Sequence, residues 1–232
     1  MLDSAQTLVL YQKYGKDKVD LAIKYLSYKD VRILPKNEIY GYPILYVFRH
    51  GQTEDNSNFI FSGWRDSDLT EKGKQQALEL APKLKDKKIS MLFCSDQIRS
   101  IKTMQLAMSQ NQYSTKVEII KDPRIKERSY GSLQGKSKLI MQLENPELLL
   151  EYRRSYTKIP PEGESLEMVV DRVYQFIEDL IPKMKQFRIN VAVSCHGNSI
   201  RGFRKYFEHL TDEQTSEIET PLGQDYAAYS IT

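Results

Sequence analysis

Cysteine is nearly absent from this chain. Only Cys94 and Cys195 occur in 232 residues, far apart and without CxxC spacing. That excludes a disulfide framework or a zinc cluster, makes a metal unexpected, and sets the reducing cytoplasm as the default location. Long apolar runs are missing as well, so no membrane span is expected. The N-terminus, MLDSAQTLVL, lacks the basic start and small-residue cleavage site of a signal peptide. Excess charge of one sign is also absent: 34 Lys and Arg face 31 Asp and Glu, for a formal charge of +3. This balance argues against a nucleic-acid partner but allows a local basic cluster that selects a small anion. Histidine is scarce, with only His50, His196 and His209. What is present, 40% hydrophobic and 28% charged residues, is enough to bury the core of one α/β domain with a modest extension.

Along the chain, Val19, Ala22, Ile23 and Leu26 follow helical spacing and predict one amphipathic helix within a segment 1–43. Asp30 to Pro43 reads as a connector, with two prolines and Gly41. Segment 1–43 is thus expected to be an extension packed on a domain covering 44–232, with a docking arm for a partner as the alternative. From Ile44 onward strands and helices alternate. Strands are expected at Ile44 to Phe48, Met91 to Cys94, Val117 to Ile120, Asn190 to Cys195 and Tyr226 to Ile231. Helices are expected from Thr70 to Leu84, Gln97 to Met108 and Ser199 to His209, with a short one capped by Thr211 and Gln214. Another starts after Ser165 with an unbroken apolar stripe, which Pro182 should kink or end. This alternation predicts a three-layer α/β fold, a mainly parallel sheet flanked by helices.

Two strands end alike, one in Arg49-His50-Gly51 and the other in Cys195-His196-Gly197. Ligands of open α/β sheets collect at the carboxyl ends of strands, so these two imidazoles are expected to share a pocket. No HxH, HExxH or GxSxG pattern accompanies them, which leaves neither a metal site nor a serine triad. Imidazole is a competent nucleophile toward phosphorus, and a phosphoryl group in transfer needs cationic stabilisation. Arg49, beside His50, and Arg99, after the Cys94 strand end, could supply it.

These blocks resemble the histidine phosphatase superfamily: Arg49-His50-Gly51 with Asn56, then Phe61-Ser62-Gly63-Trp64. Further blocks are similar to its cofactor-dependent phosphoglycerate mutases. They are Lys126 to Gly131, Gly135 with Lys138, Arg153-Arg154 before Pro160-Pro161, Gly163-Glu164-Ser165, His196 to Gly202, and Thr220 to Gly223. The resemblance spans roughly 44 to 232 and implies roles. His50 would carry a phosphohistidine, with Arg49, Arg99 and His196 holding the transferring group. Glu127 would be the acid and base for the substrate hydroxyl, with a raised pKa. Arg128, Tyr130, Lys138, Arg153 and Arg154 would grip the substrate's carboxylate and second phosphate, with Asn56, Ser62, Gly63 and Asn198 adding hydrogen bonds. The expected reaction is interconversion of 3-phosphoglycerate and 2-phosphoglycerate, primed by 2,3-bisphosphoglycerate, in a monomer or homodimer.

The sequence departs from its relatives at several points. Gln52, Asp55 and Ser129 stand where relatives commonly carry glutamate, a bulky residue and histidine. The insertion of larger mutases before Gly163 is missing, and so is the basic tail that follows the last strand in many relatives, so leakage of bisphosphoglycerate and some hydrolysis are expected. The competing readings are a phosphomonoesterase on the same scaffold and a catalytically silent binding module.

Overall fold

The computed structural model describes residues 4–27, 33–114 and 116–232. Six strands form one sheet in the order β1-β6-β2-β5-β3-β4. These are β1 (Lys36–Asn37), β2 (Ile44–Arg49), β3 (Ile89–Cys94), β4 (Ile119–Lys121), β5 (Asn190–Cys195) and β6 (Tyr226–Ser230). Neighbours β2, β5, β3 and β4 run parallel, and β6 is antiparallel to β2. Helices cover both faces, giving the three-layer architecture expected from the alternation.

The period-two geometry of strands sorts the apolar residues onto the two faces. Leu45 and Val47 of β2 join Val191, Val193 and Cys195 of β5 in a core beneath α8 (Leu166–Phe187) and α9 (Gly197–Glu208). Tyr46 and Phe48 point the other way, with Ala192, into a second core beneath α4 (Glu71–Leu84) and α5 (Ile98–Ala107). Both faces of β2 are therefore buried, which is why its sequence is almost wholly apolar.

Several boundaries shift from expectation. Helix α8 passes through Pro182 and continues to Phe187. A proline forfeits only one intrahelical hydrogen bond, and the turn beyond it is anchored by Met184, buried in the first core. The strand expected from Val117 is the shorter β4. The predicted helix around Val19 is α2 (Lys16–Leu26), but another, α1 (Ser4–Tyr14), precedes it. Of the expected connector, 30–32 lie outside the described residues. The part that follows is tied to the sheet: Leu34 is buried in the first core and β1 pairs with β6. Among the described residues no helix is long and apolar enough to cross a membrane.

One close approach fixes the loop after β2. The Gly73 amide is held by the hydroxyl of Thr70, the N-cap of α4, and the Thr70 amide donates to the Gln52 carbonyl at 3.0 Å. A Cβ on Gly73 would stand 2.0 Å from the Gln52 carbonyl oxygen, and one on Gly51 would stand 2.1 Å from the Gly73 carbonyl oxygen. In an ordinary helix interior, glycine to alanine gains about 1 kcal/mol. Here Gly73→Ala is expected to lower stability by about 1–3 kcal/mol, as overpacking does, and to reduce activity by displacing the loop that carries His50. Thermal unfolding and a rate assay check this; a rise in melting temperature would contradict the close approach.

Candidate active site

The carboxyl ends of β2 and β5 are adjacent, Arg49 pairing with Cys195. The His50 amide extends the ladder by donating to the Cys195 carbonyl at 3.0 Å. The two imidazoles consequently meet with ring centroids 5.0 Å apart. Both are buried. His50 Nδ1 lies 2.7 Å from its neighbour Gly51's carbonyl oxygen. A carbonyl only accepts, so Nδ1 carries the proton and Nε2 keeps its lone pair. His196 turns its other nitrogen to the protein. Its Nε2 lies 2.7 Å from Ser95 Oγ, which itself accepts from the Gln97 amide. Among the described residues the Ser95 hydroxyl has no other acceptor for its own proton, so it donates to Nε2 and the His196 proton sits on Nδ1, which is buried with no hydrogen-bond partner among the described residues. Ser62 Oγ is similarly buried and unpartnered. Burial, then the charges of Arg99 and Arg49, hold the His50 pKa well below its usual range. Burial and Arg99 do the same for His196, joined by His50 and Arg49. One imidazole therefore offers a lone pair and the other a proton, both uncharged at neutral pH.

A cleft opens at His50. Its cationic lining is Arg49, Arg99, Lys138, Arg153, Arg154 and Arg201, against the carboxylates Glu127 and Glu219. Arg99 leaves the first turn of α5 and is fixed by the carbonyls of Gly63 and Arg65, each at 2.8 Å. Arg49 donates to the Thr220 carbonyl at 3.0 Å. Asn56, held in a capping box with Thr53, also lines the cleft, as do Ser62, Gly63, Tyr130 and Asn198. Lys138, at the start of α6 (Lys138–Glu144), donates to the Ile60 carbonyl at 2.8 Å. Arg153 and Arg154 end α7 (Pro146–Arg154). Ligand atoms of His50, Glu127 and His196 come within 4.8 Å of one another, but the flanking Arg49 and Arg99 charges oppose a cation and favour an anion.

Glu127 requires a correction. Burial drives its pKa up, but Arg49, the Asn198 side chain, the Arg128 amide and Arg99 together outweigh that and leave it lowered. Its Oε1 accepts from the Asn198 side chain at 2.9 Å and from the Arg128 amide at 2.9 Å. The expected raised pKa is therefore absent from the ligand-free site, because nothing yet offsets the two guanidinium groups. Arg128 is the second correction. It is fully buried and outside the cleft lining, its guanidinium donating to the carbonyls of Glu164, Tyr152 and Lys158. It braces the wall rather than facing a ligand.

Several contributors had not been singled out. Arg201, buried on α9, faces the cleft and bonds the Ile218 carbonyl and Asn198 Oδ1. Arg172 of α8 straps the Glu127 segment by donating to the carbonyls of Arg124, Lys126 and Glu127. Arg201 was legible in the block from His196 to Gly202; Arg172 lies eight residues after Glu164, its ion-pair partner at 3.0 Å. Trp64, half exposed, donates from Nε1 to the Glu127 carbonyl at 2.8 Å.

A buried imidazole pair between arginines, at adjacent strand ends of a parallel sheet, defines a phosphoryl-binding enzyme class. The histidine phosphatase superfamily (branch 1) model matches residues 45–231, and the chain belongs to that superfamily. It is 35% identical over 183 residues to a 2,3-bisphosphoglycerate-dependent phosphoglycerate mutase of Cytophaga hutchinsonii, covering 78% of this chain and 84% of that one. It is 32% identical over 209 residues to phosphoglycerate mutase 1 of Saccharomyces cerevisiae, with the same coverage of both chains. Among solved structures, the mycobacterial glucosyl-3-phosphoglycerate phosphatase with VO3 superposes with a TM-score of 0.72 at 23% identity, covering 80% of this chain and 92% of that one. Bacillus stearothermophilus YhfR gives 0.71 at 22% identity, covering 80% and 90%.

Glu219 is the exception in this cationic cleft. It pairs with Arg154, and although burial raises its pKa, Arg154, Arg201 and Arg153 leave the carboxyl lowered and ionised. A ligand with a second anionic group must approach that charge. Glu219→Gln is expected to tighten binding of phosphoglycolate by roughly fivefold, the scale of one like-charge repulsion at about 4 Å screened as in water. Inorganic phosphate binding should change much less. Calorimetric titration reads both; weaker phosphoglycolate binding would make Glu219 a positioner of Arg154 instead.

Proposed function

We propose that this protein interconverts 3-phosphoglycerate and 2-phosphoglycerate in glycolysis and gluconeogenesis, as a cytoplasmic isomerase with a phosphohistidine at His50. The observation that carries this reading is the pairing of a neutral imidazole, its Nε2 lone pair kept available, with a long cationic wall. The inner part, Arg49, Arg99 and His196 Nδ1, suits a phosphoryl group. The outer part, Lys138, Arg153, Arg154 and Arg201, suits a further anion of the same substrate. The names of the mutase relatives support the same substrate.

The unpartnered Ser62 Oγ and His196 Nδ1, together with the two-part cationic wall, fit 2,3-bisphosphoglycerate. When bound, that group supplies the phosphoryl unit that primes His50. His50 Nε2 forms the new bond to phosphorus while the bond to the departing substrate oxygen breaks. Arg49 and Arg99 neutralise the charge spread over the equatorial oxygens. Glu127 gives a proton to the leaving oxygen and takes one from the hydroxyl that receives the group in return. The lowered carboxyl pKa suits the second task. An arriving phosphoryl dianion offsets Arg49 and Arg99, which lets burial raise the pKa for the first. Asn198, donating to Glu127, keeps the carboxyl aimed through both.

A phosphomonoesterase is the second reading, with water as acceptor, and Glu219 is the observation that favours it. A carboxylate in the outer wall weakens the hold on a second anionic group, so a substrate with a single phosphate is penalised less than one with a further anion.

Mixing the protein with 2,3-bisphosphoglycerate should leave acid-labile phosphate on His50, and 3-phosphoglycerate should then yield 2-phosphoglycerate faster than inorganic phosphate. Phosphate release that dominates even with primer present would favour the esterase. His50→Ala should abolish both reactions, and retained turnover would mean that the nucleophile is another residue.

A further inference from the structure

The α6 and α7 side of the outer wall does not rest on either core of the sheet. Leu139 and Leu143 of α6 and Leu149 and Tyr152 of α7 are buried in a third cluster, together with Phe61, Tyr130 and Leu133. Its other side is the N-terminal segment: Val19, Ala22 and Leu26 of α2 are buried in the same cluster, with Leu10, Tyr11 and Tyr14 of α1 packed against it. A polar latch closes the seam. Glu144, the last residue of α6, receives the Tyr14 hydroxyl and lies 3.3 Å from the Lys13 ammonium. Tyr11 in turn donates to Asp20 at 2.6 Å, which locks α1 to α2. None of the α1 and α2 residues falls within the part of the chain that the superfamily model matches, which starts at residue 45.

Lys138 opens α6, and Arg153 and Arg154 close α7. Moving either helix by an ångström moves those cations by as much, and charge-assisted hydrogen bonds are sensitive to such shifts. Tyr130 links the same cluster to the cleft directly, its ring 4.9 Å from that of Phe61 and its hydroxyl at hydrogen-bonding distance from Asn198. We infer that α1 and α2 are a positioning element for the outer anion subsite: they set where α6 and α7 stand, and so the preference for a phosphorylated carboxylic acid over bare phosphate. This rests on reading Lys138, Arg153 and Arg154 as the outer anion site. The inner site, built on the strand ends of β2 and β5, does not depend on them.

The test uses the full chain and calorimetric titration with 3-phosphoglycerate and with inorganic phosphate, neither of which requires turnover. Val19→Asp places a charge in the cluster, Glu144→Ala removes the latch, and Leu21→Asp puts the same charge on the exposed face of α2. Val19→Asp is expected to weaken 3-phosphoglycerate binding by about tenfold, the loss of one charge-assisted contact, and to leave phosphate binding within about twofold. Glu144→Ala should shift the preference in the same direction by a smaller factor, and Leu21→Asp should shift neither. If Val19→Asp does not fold, Glu144→Ala decides. Parallel weakening of both ligands, or an unchanged preference in Glu144→Ala, overturns the inference. Failure of the functional reading shows elsewhere: the unaltered protein would then bind 3-phosphoglycerate no better than phosphate.

Discussion

Everything in the site depends on keeping two imidazoles uncharged among guanidinium groups. Burial at adjacent strand ends removes the solvation a proton would need, and Arg49 and Arg99 add their repulsion. One backbone carbonyl and one side-chain hydroxyl supply the rest by fixing which nitrogen carries the proton. The Gly51 carbonyl takes the Nδ1 proton of His50, and the Ser95 hydroxyl occupies Nε2 of His196. A free lone pair and a hydrogen-bond donor thus arise from the same residue type, separated only by which nitrogen faces the protein.

That economy puts strict demands on the scaffold. His50 is placed by the β2–β5 ladder and by a loop pressed against Gly73 so closely that no side chain fits between. Glu127 has no strand to hold it and is strapped through its backbone by Arg172, Trp64 and Gln97. Buried Arg128 performs a similar service for the segments around Tyr152, Lys158 and Glu164. The cations of this protein divide into those that face a ligand and those that hold backbone carbonyls, and their residue type does not distinguish them.

This division also marks how far the sequence could be read. The sheet and its helices were legible because β2 and β5 are short apolar runs and α8 carries a continuous apolar stripe, and the two histidines were legible because each ends a strand before glycine. Arg128 was misread because adjacency to Glu127 in the chain says nothing about which way an extended segment points its side chains. The raised Glu127 pKa was expected from its acid and base role alone, while two arginines distant in sequence converge on it in space. Helix α1 has no strong amphipathic pattern, since it packs against α2 and a satellite cluster rather than on the sheet. Pro182 failed to end α8 because tertiary burial of Met184 outweighs one lost hydrogen bond.

The central claim, a neutral His50 protonated on Nδ1 and open at Nε2, is tested most directly by nitrogen NMR of the histidine rings in the ligand-free protein between pH 5 and 8. With its pKa lowered, the His50 ring should keep two unlike nitrogen shifts, one protonated and one not, with no titration near about 6.5, the ordinary histidine value. The proton should correlate with Nδ1. A ring that becomes imidazolium as pH falls through that value, or one protonated on Nε2, would contradict the account.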